Sequence, residues 1–439
     1  MNTRLARRCV AGVLVGAALA AATGCGSSDT TTSSTSAPAA KAGAGGPSPS
    51  PAAIDWAVQY AGGKAGKASG APVKVGYVNQ QGGASGFEGA TVGYTALQDF
   101  MNAHAGGVQG RPLQFVSCFV QAEEDGQKCA AQFLSQGVQL AVTGQLVVGS
   151  AAFYKTLKGK IPVINSSPGS PADLTSPNVY GTTAGALQLT AMGKLISQRI
   201  KPQSVAVIYQ NDPVGSFIAQ KLLKPQLVAA GIGRLKLVPF ELTATTPDMV
   251  TALQAAGAGA ADLVVGIVTG PPCQSFAMAY KQLALKTKVI TEADCYSNSI
   301  TKAIGGRWPD GWYFVGNQGY DPHIPDAGSG TDTYLAAMNA SAAGRVWLYD
   351  VHAAYTTGPT MLAYKLLNQA GPDATATQLT AALKAYKGPV AMNTGDFSCG
   401  TLKTAPNVCV PYVSFVESSA GKWLPTANGQ DAIDAGATS

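Results

Sequence analysis

Charge is scarce in this chain. Only 12% of its 439 residues are Asp, Glu, Lys or Arg, and there are three histidines, His104, His323 and His352. Three of the basic residues, Arg4, Arg7 and Arg8, lie in the first ten positions, and without them 27 basic side chains face 24 acidic ones. A body so close to neutral lacks the basic footprint that holds nucleic acid, which removes that partner from consideration. No C-x-x-C occurs, and with so few histidines a zinc site has no obvious ligand set. The patterns of a nucleophile elbow and of a phosphate loop are also missing, and the glycine-rich "GAGAAD" near Gly257 precedes a strand where a dinucleotide turn should follow one. These absences leave no candidate catalytic residue and no implied cofactor. "YDPHIPDAGSGTD" gathers Asp321, His323, Asp326 and Asp332, but their irregular spacing reads as a solvated connection rather than a metal site.

The first stretch that is informative by presence is the N-terminus. Arg4, Arg7 and Arg8 precede an apolar run from Val10 to Ala22, the pattern of a secretory leader and too short to span a bilayer comfortably. The run closes with Ala22-Thr23-Gly24-Cys25, which resembles the lipobox of bacterial lipoproteins. The resemblance implies a leader over 1–24 and a diacylated Cys25 tying the mature chain to the outer face of the cell membrane. Residues 26–52 hold almost no large apolar side chain and cannot offset the entropy of ordering, so 25–72 reads as anchor and disordered tether. The roughly 370 residues that follow exceed what one hydrophobic core usually serves, which predicts two lobes.

Setting aside Cys9 in the leader and Cys25 leaves six cysteines, an even number in a chain read as exported. Fifteen connectivities are open. Proximity in sequence favours Cys118 with Cys129, Cys273 with Cys295, and Cys399 with Cys409. The second bridge would join loops that follow neighbouring strands and stiffen one wall between the lobes.

From Val73 onward, short apolar runs alternate with segments of helical period: "VKVGYV", then "GATVGYTALQDFMNAH", then "RPLQFVSCF", "DGQKCAAQFLSQG", "VQLAVTG", "GSAAFYKTLKG" and "IPVIN". A second series runs from "SVAVIYQ" through "LKLVPFEL" and "DLVVGIV" to "KVITEA". Alternation at this interval predicts an α/β fold with parallel strands covered by helices on both faces, built twice. A helical stretch, "TYLAAMNASA" to "TQLTAALKAY", and a β-rich end, "VCVPYVSFVES" and "GKWLP", complete the chain.

"APVKVGYVNQQGGASGFEGATVGYTALQDFMNAHAGGVQGRPLQFV", "IPVINSSPGSPADLT", "SVAVIYQNDPVGSFIAQKL" and "DLVVGIVTGPP" stand in the order and spacing of the type I periplasmic solute-binding proteins, and the chain resembles the branched-chain amino-acid (Leu/Ile/Val) binding proteins of ABC transporters over about 72–425. The resemblance implies two doubly wound parallel-sheet lobes joined by a three-strand hinge. Lobe one would comprise 73–186 and 322–393, lobe two 187–321 and 394–426, with a flexible tail at 427–439. It also implies a monomer that closes on a small solute and presents it to an ABC permease, with no catalysis. An extracellular sensor built on the same fold is the alternative, and an exported hydrolase has no motif to support it.

Ligands of open parallel sheets sit beyond the carboxyl ends of the strands, and Asn165–Ser170 lies at such an end. Its small residues suit close approach of backbone N–H groups to an anion, and by resemblance Ser167, Gly169 and Ser170 are expected to hold a carboxylate. Phe87 is expected over the ligand, with Val148, Gly149 and Ser150 beside it. Lobe two should contribute Asp212, Val214, Thr269 and Gly270. Asp294 is expected to pair with a ligand ammonium, with Glu292 as the alternative two residues earlier, since an ammonium in a closed cleft needs a counter-charge. Val214, Thr269 and Gly270 depart from the aromatic residues usual in the resembled family, so the solute need not be leucine.

Overall fold

The computed structural model describes residues 46–82, 86–296, 298–317, 330–393, 395–419, 422–425 and 433–434. The leader, Cys25, the tether up to residue 45, and Asp321, His323 and Asp326 lie outside the described residues.

Thirteen strands form two sheets. β1 (Val73–Gln80), β2 (Leu113–Val120), β3 (Ala141–Thr143), β4 (Val163–Asn165) and β5 (Val179–Gly181) make a fully parallel sheet in the order β2-β1-β3-β4-β5. The second sheet contains β6 (Ser204–Gln210), β7 (Arg234–Phe240), β8 (Leu263–Ile267), β9 (Lys288–Glu292), β10 (Trp312–Asn317), β11 (Tyr412–Ser419), β12 (Lys422–Pro425) and β13 (Ile433–Asp434). Its path is β12-β11-β10-β9-β8-β6-β7: five strands are parallel, and β11 to β13 pair antiparallel at one side. Helices follow the strands in both series, the two-lobe α/β architecture expected of the repeat.

β6 and β8 are buried along their whole length because both faces of the second sheet are covered. Along β6, Val205 and Val207 enter one core while Ala206 and Ile208 enter the other, as the two-residue period requires. β1 divides in the same way, Tyr77 into one core and Val78 into the next. Each sheet also uses a glycine so that a helix can approach. A Cβ at Gly76 would lie 2.8 Å from the Phe133 ring, and one at Gly266 would lie 2.8 Å from the Phe276 ring.

Two expected boundaries change. The segment 25–72 is not all tether: Pro51–Ala61 is a helix, capped by the Ser50 side chain and ended at Gly62 in the left-handed conformation. It buries Ala53, Ala57, Tyr60 and Ala61, which recur at helical spacing, against the first core. The polar composition just upstream masks that stripe in the sequence. The segment from 394 to 411, expected in lobe two, is shared between the lobes, and Ala405 and Val408 do join the second core. Phe397, Cys409 and Val410 belong to the first core, and Gly181 on β5 donates to Asn407 O at 2.7 Å while Cys409 N donates back to Gly181 O at 3.1 Å. The edge of β5 thus captures this segment, and the second sheet resumes at Tyr412.

The three disulfides join Cys118 to Cys129, Cys273 to Cys295 and Cys399 to Cys409. Among the described residues no helix is long and apolar enough to cross a membrane, and no three His, Cys, Asp or Glu side chains are gathered to hold a metal ion.

Candidate functional site

The carboxyl ends of β3 and β4 in the first sheet face those of β6, β8 and β9 in the second across a small cavity of about 30 Å³. Gln145, Val147, Ser167, Gly169, Gly185 and Ala186 line it on one side; Gln188, Gln210, Asp212, Val214, Gly215, Ile218, Ile267, Thr269 and Glu292 line the other. Space for about one water remains. Two carboxylates, Asp212 and Glu292, point at this space from the second lobe and are only 8% and 4% exposed. Among the described residues that line it there is no Lys, Arg or His.

Local structure explains each placement. Asp212 follows β6 as the N-cap of Pro213–Phe217, accepting from Gly215 N at 2.7 Å. Burial pushes its carboxyl above the ordinary range, and the N–H groups of Gly215 and Val214 pull the other way. Glu292 ends β9, and its Oε2 accepts from Gln188 Nε2 at 2.9 Å. Gln210, the last residue of β6, accepts from both Thr269 N (3.0 Å) and Thr269 Oγ1 (2.8 Å), which locks the end of β8 beside it. The Oε1 atoms of Gln145 and Gln188 are buried and accept no hydrogen bond among the described residues.

Of the residues expected from sequence, Ser167, Gly169, Asp212, Val214 and Thr269 line this cavity. Phe87 and Gly270 line a second, larger space described below. The expected anion cradle is otherwise engaged. Ser167 N donates to Asn165 Oδ1 at 2.9 Å, and Gly169 N and Ser170 N donate to Asp173 Oδ2 at 3.1 and 2.8 Å. Ser170 Oγ caps Asp173 N and pairs with Ser150 Oγ at 2.9 Å. Asp173 closes a capping box on the five-residue helix Pro171–Thr175, so that helix end carries its own anion. What this stretch offers the cavity is the Ser167 hydroxyl and the open surface of Gly169.

Val148, Gly149 and Ser150 line neither space. Gly149 N donates to Glu123 Oε2 at 2.7 Å and Val148 N to Gln80 Oε1 at 3.2 Å, which turns these residues into the wall, and Val147 faces the cavity instead. The Asp294 side chain lies outside what the structure describes, and it is Glu292, the alternative acid, that lines the cavity. Gln145, Gln188 and Gln210 were not singled out from sequence. Gln210 is the last residue of a strand and Gln145 follows one by two positions, so the strand-end rule that marked Asn165–Ser170 also points to them.

The second space holds about 550 Å³ at the outer part of the cleft, within the usual range for a small-molecule site. Phe87, Glu88, Arg345, Trp347, Tyr349, Asp350 and His352 line it from the first lobe, and Gly270, Pro271, Gln274 and Ile300 from the second. The Phe87 ring packs against the His352 ring at 4.6 Å, and Asn79 Nδ2 donates to Phe87 O at 2.8 Å. Thr269 and Gly270 are consecutive, one facing each space, so inner cavity and outer chamber are neighbours along one cleft.

Two lobes of parallel α/β structure meeting at a cleft beyond their strand ends define a bilobal binding protein. A family model described as "Periplasmic binding protein" matches residues 72–409, and the chain belongs to that family. Solved structures share the fold. A solute-binding protein of an ABC transporter from R. palustris, in complex with benzoate, is 16% identical with a TM-score of 0.68, covering 83% of this chain and 98% of that one. The leucine binding protein LivK of Thermotoga maritima is 14% identical with a TM-score of 0.63, covering 81% and 98%. The substrate binding protein LivJ of a Streptococcus pneumoniae branched-chain amino acid transporter, in complex with isoleucine, is 14% identical with a TM-score of 0.61, covering 81% and 100%. At these identities the likeness is one of fold. No curated relative matches the sequence.

Proposed function

We propose that this protein is the extracytoplasmic solute-binding subunit of an ABC importer, held to the outer face of the membrane by lipids on Cys25, and that its solute carries a protonated amine, as an amino acid or a close relative does. The observation that carries the ligand class is the inner cavity, where two acidic residues, Asp212 and Glu292, are buried side by side in the lining. A carboxylate out of water interacts favourably with an ammonium, which can also donate hydrogen bonds to it. A carboxylate on the same solute would find donors in the Ser167 hydroxyl and in the Gln145 amide nitrogen, which faces Gly169 across the cavity. Capture is a closure of the two lobes about the crossovers, and the closed form is the one a permease would recognise.

An aromatic acid is the second reading, favoured by the benzoate in one structure of the same fold. An anion of that kind entering the inner cavity would meet two carboxylates, which weighs against it.

A melting-temperature screen of amino acids, amines and benzoates separates the two. A ligand that binds only the folded state at about a hundred times its dissociation constant adds about 2.7 kcal/mol, enough to shift the melt visibly. Amine-bearing solutes are expected to stabilise the protein, and Glu292→Gln is expected to weaken them by about 2 kcal/mol or more, the scale of a lost charge-assisted contact. Stabilisation by benzoate alone, unaffected by Glu292→Gln, would overturn the amine reading.

A further inference from the structure

Two glutamines line the inner cavity, Gln145 at 8% and Gln188 at 6% exposed, and the Oε1 atom of each is buried without a hydrogen-bond partner among the described residues. Gln188 Nε2 donates to Glu292 Oε2 at 2.9 Å, which leaves Oε1 as the unused end of that amide. Gln145 is fixed through its backbone: its N–H donates to Asn79 Oδ1 at 3.1 Å, and its carbonyl accepts from Gln80 N at 3.0 Å. A buried carbonyl oxygen that has given up water needs another donor. We infer that Gln145 and Gln188 read N–H groups on the head of the solute, so that the protein takes a primary amine and discriminates against the same amine once its nitrogen is methylated. The inference rests on the amine reading of the inner cavity. It adds which kind of amine enters and which two neutral side chains make the choice.

Charge does not make this choice, because primary and quaternary ammonium groups carry the same charge. The number of donors does. A primary ammonium offers three N–H donors, enough for both glutamine oxygens and one carboxylate oxygen. An N,N-dimethyl ammonium has a single N–H, which the stronger acceptor, a carboxylate, claims. A trimethyl ammonium has none and would press methyl groups against both glutamine oxygens, leaving them unsatisfied. Size acts in the same direction, since a cavity of about 30 Å³ holds about one water-sized group and each methyl enlarges the head. A water molecule is the competing donor for the two oxygens, and substitution of Gln145 tells it from the solute.

Titration calorimetry of the whole mature protein tests this with alanine, leucine and phenylalanine, each beside its N,N-dimethyl and N,N,N-trimethyl forms. The free amino acid is expected to bind about tenfold or more tighter than either methylated form. Gln145→Met keeps the side chain's length and approximate volume while removing the acceptor. It is expected to weaken the free amino acid about tenfold and to change the dimethyl form less than about threefold, so the preference narrows; a preference set by size alone would keep its ratio. The empty Gln145→Met protein is expected to melt no lower than wild type, because an acceptor without a partner gives way to an apolar group of similar shape. Gln188→Met, which also takes a donor from Glu292, is expected to weaken the free amino acid in the same way. The comparison of amine forms on the wild-type protein stands whether or not the variants fold. A methylated form binding as tightly as the free amino acid, or Gln145→Met weakening both forms equally or neither, would overturn the inference while leaving the amine reading intact. No response to any of these amines would overturn both.

Discussion

Under the proposed amine reading, Asp212 would serve two purposes whose demands on its proton differ. As a helix cap it needs only an acceptor oxygen, a task asparagine performs equally well. As a counter-charge for an ammonium it must be ionised, and burial, the dominant influence, has raised its pKa above the usual value. An amine ligand should therefore lose affinity as pH falls from about 7 towards 4, the loss beginning above the ordinary carboxylate range because the free protein takes up a proton there. In the empty protein the sign is opposite. A raised folded pKa leaves stability intact below the unfolded value and erodes it as pH rises through the raised one. Asp212→Asn is thus expected to stabilise the empty protein slightly near neutral pH, to weaken amine binding, and to flatten the pH dependence of what binding is left. Calorimetry and thermal melts across that pH range check all three signs.

At the scale of single elements, the helix Pro51–Ala61 shows how a segment dismissed on composition can join the core. Tyr60 is its anchor: the hydroxyl donates to Pro389 O at 2.9 Å and accepts from Ala391 N at 3.3 Å, Trp56 stacks on its ring at 5.0 Å, and Lys365 Nζ lies 4.9 Å over that ring. Tyr60→Ala is expected to cost about 3 kcal/mol in urea denaturation, the usual scale for deleting a large buried ring, while ligand affinity stays unchanged because the helix lies away from the cleft. The short helix Pro171–Thr175 teaches the converse. Its sequence, Ser-Pro-Ala-Asp, is as good a signature of a self-satisfied capping box as of an anion site, and the Asp173 carboxylate, collecting Tyr154, Asn165 and two backbone N–H groups, decides for the former.

For the whole molecule, the proposed anchor is the feature to test: if Cys25 carries the lipids, Cys25→Ser should release folded, ligand-competent protein into the soluble fraction. Fractionation of cells expressing wild type and variant checks this, and equal retention of the two on membranes counts against the anchor. The bilobal shape also accounts for why the site could be read only in outline from sequence. Its walls come from segments far apart in the chain, Gln145 to Gly169 on one side and Gln210 to Glu292 on the other.

Local pattern was enough for the alternation of strands and helices, the duplication, the sequence-near cysteine pairs, and the strand ends at which a ligand would sit, because each depends on residues close together in the chain. Local pattern did not reveal β5 and β10, the fifth parallel strand of each sheet, which are defined by the neighbour they pair with. Nor could it tell which acid enters the cleft. Glu292 lines the cavity because it is the last residue of β9, a place set by the pairing of that strand with β8 and β10. The same limit governs the backbone N–H groups of 167–170. Whether they await an anion or are already satisfied depends on where Asp173 and Asn165 turn, and that is decided by packing in three dimensions, since a buried donor is driven to the nearest acceptor the fold provides.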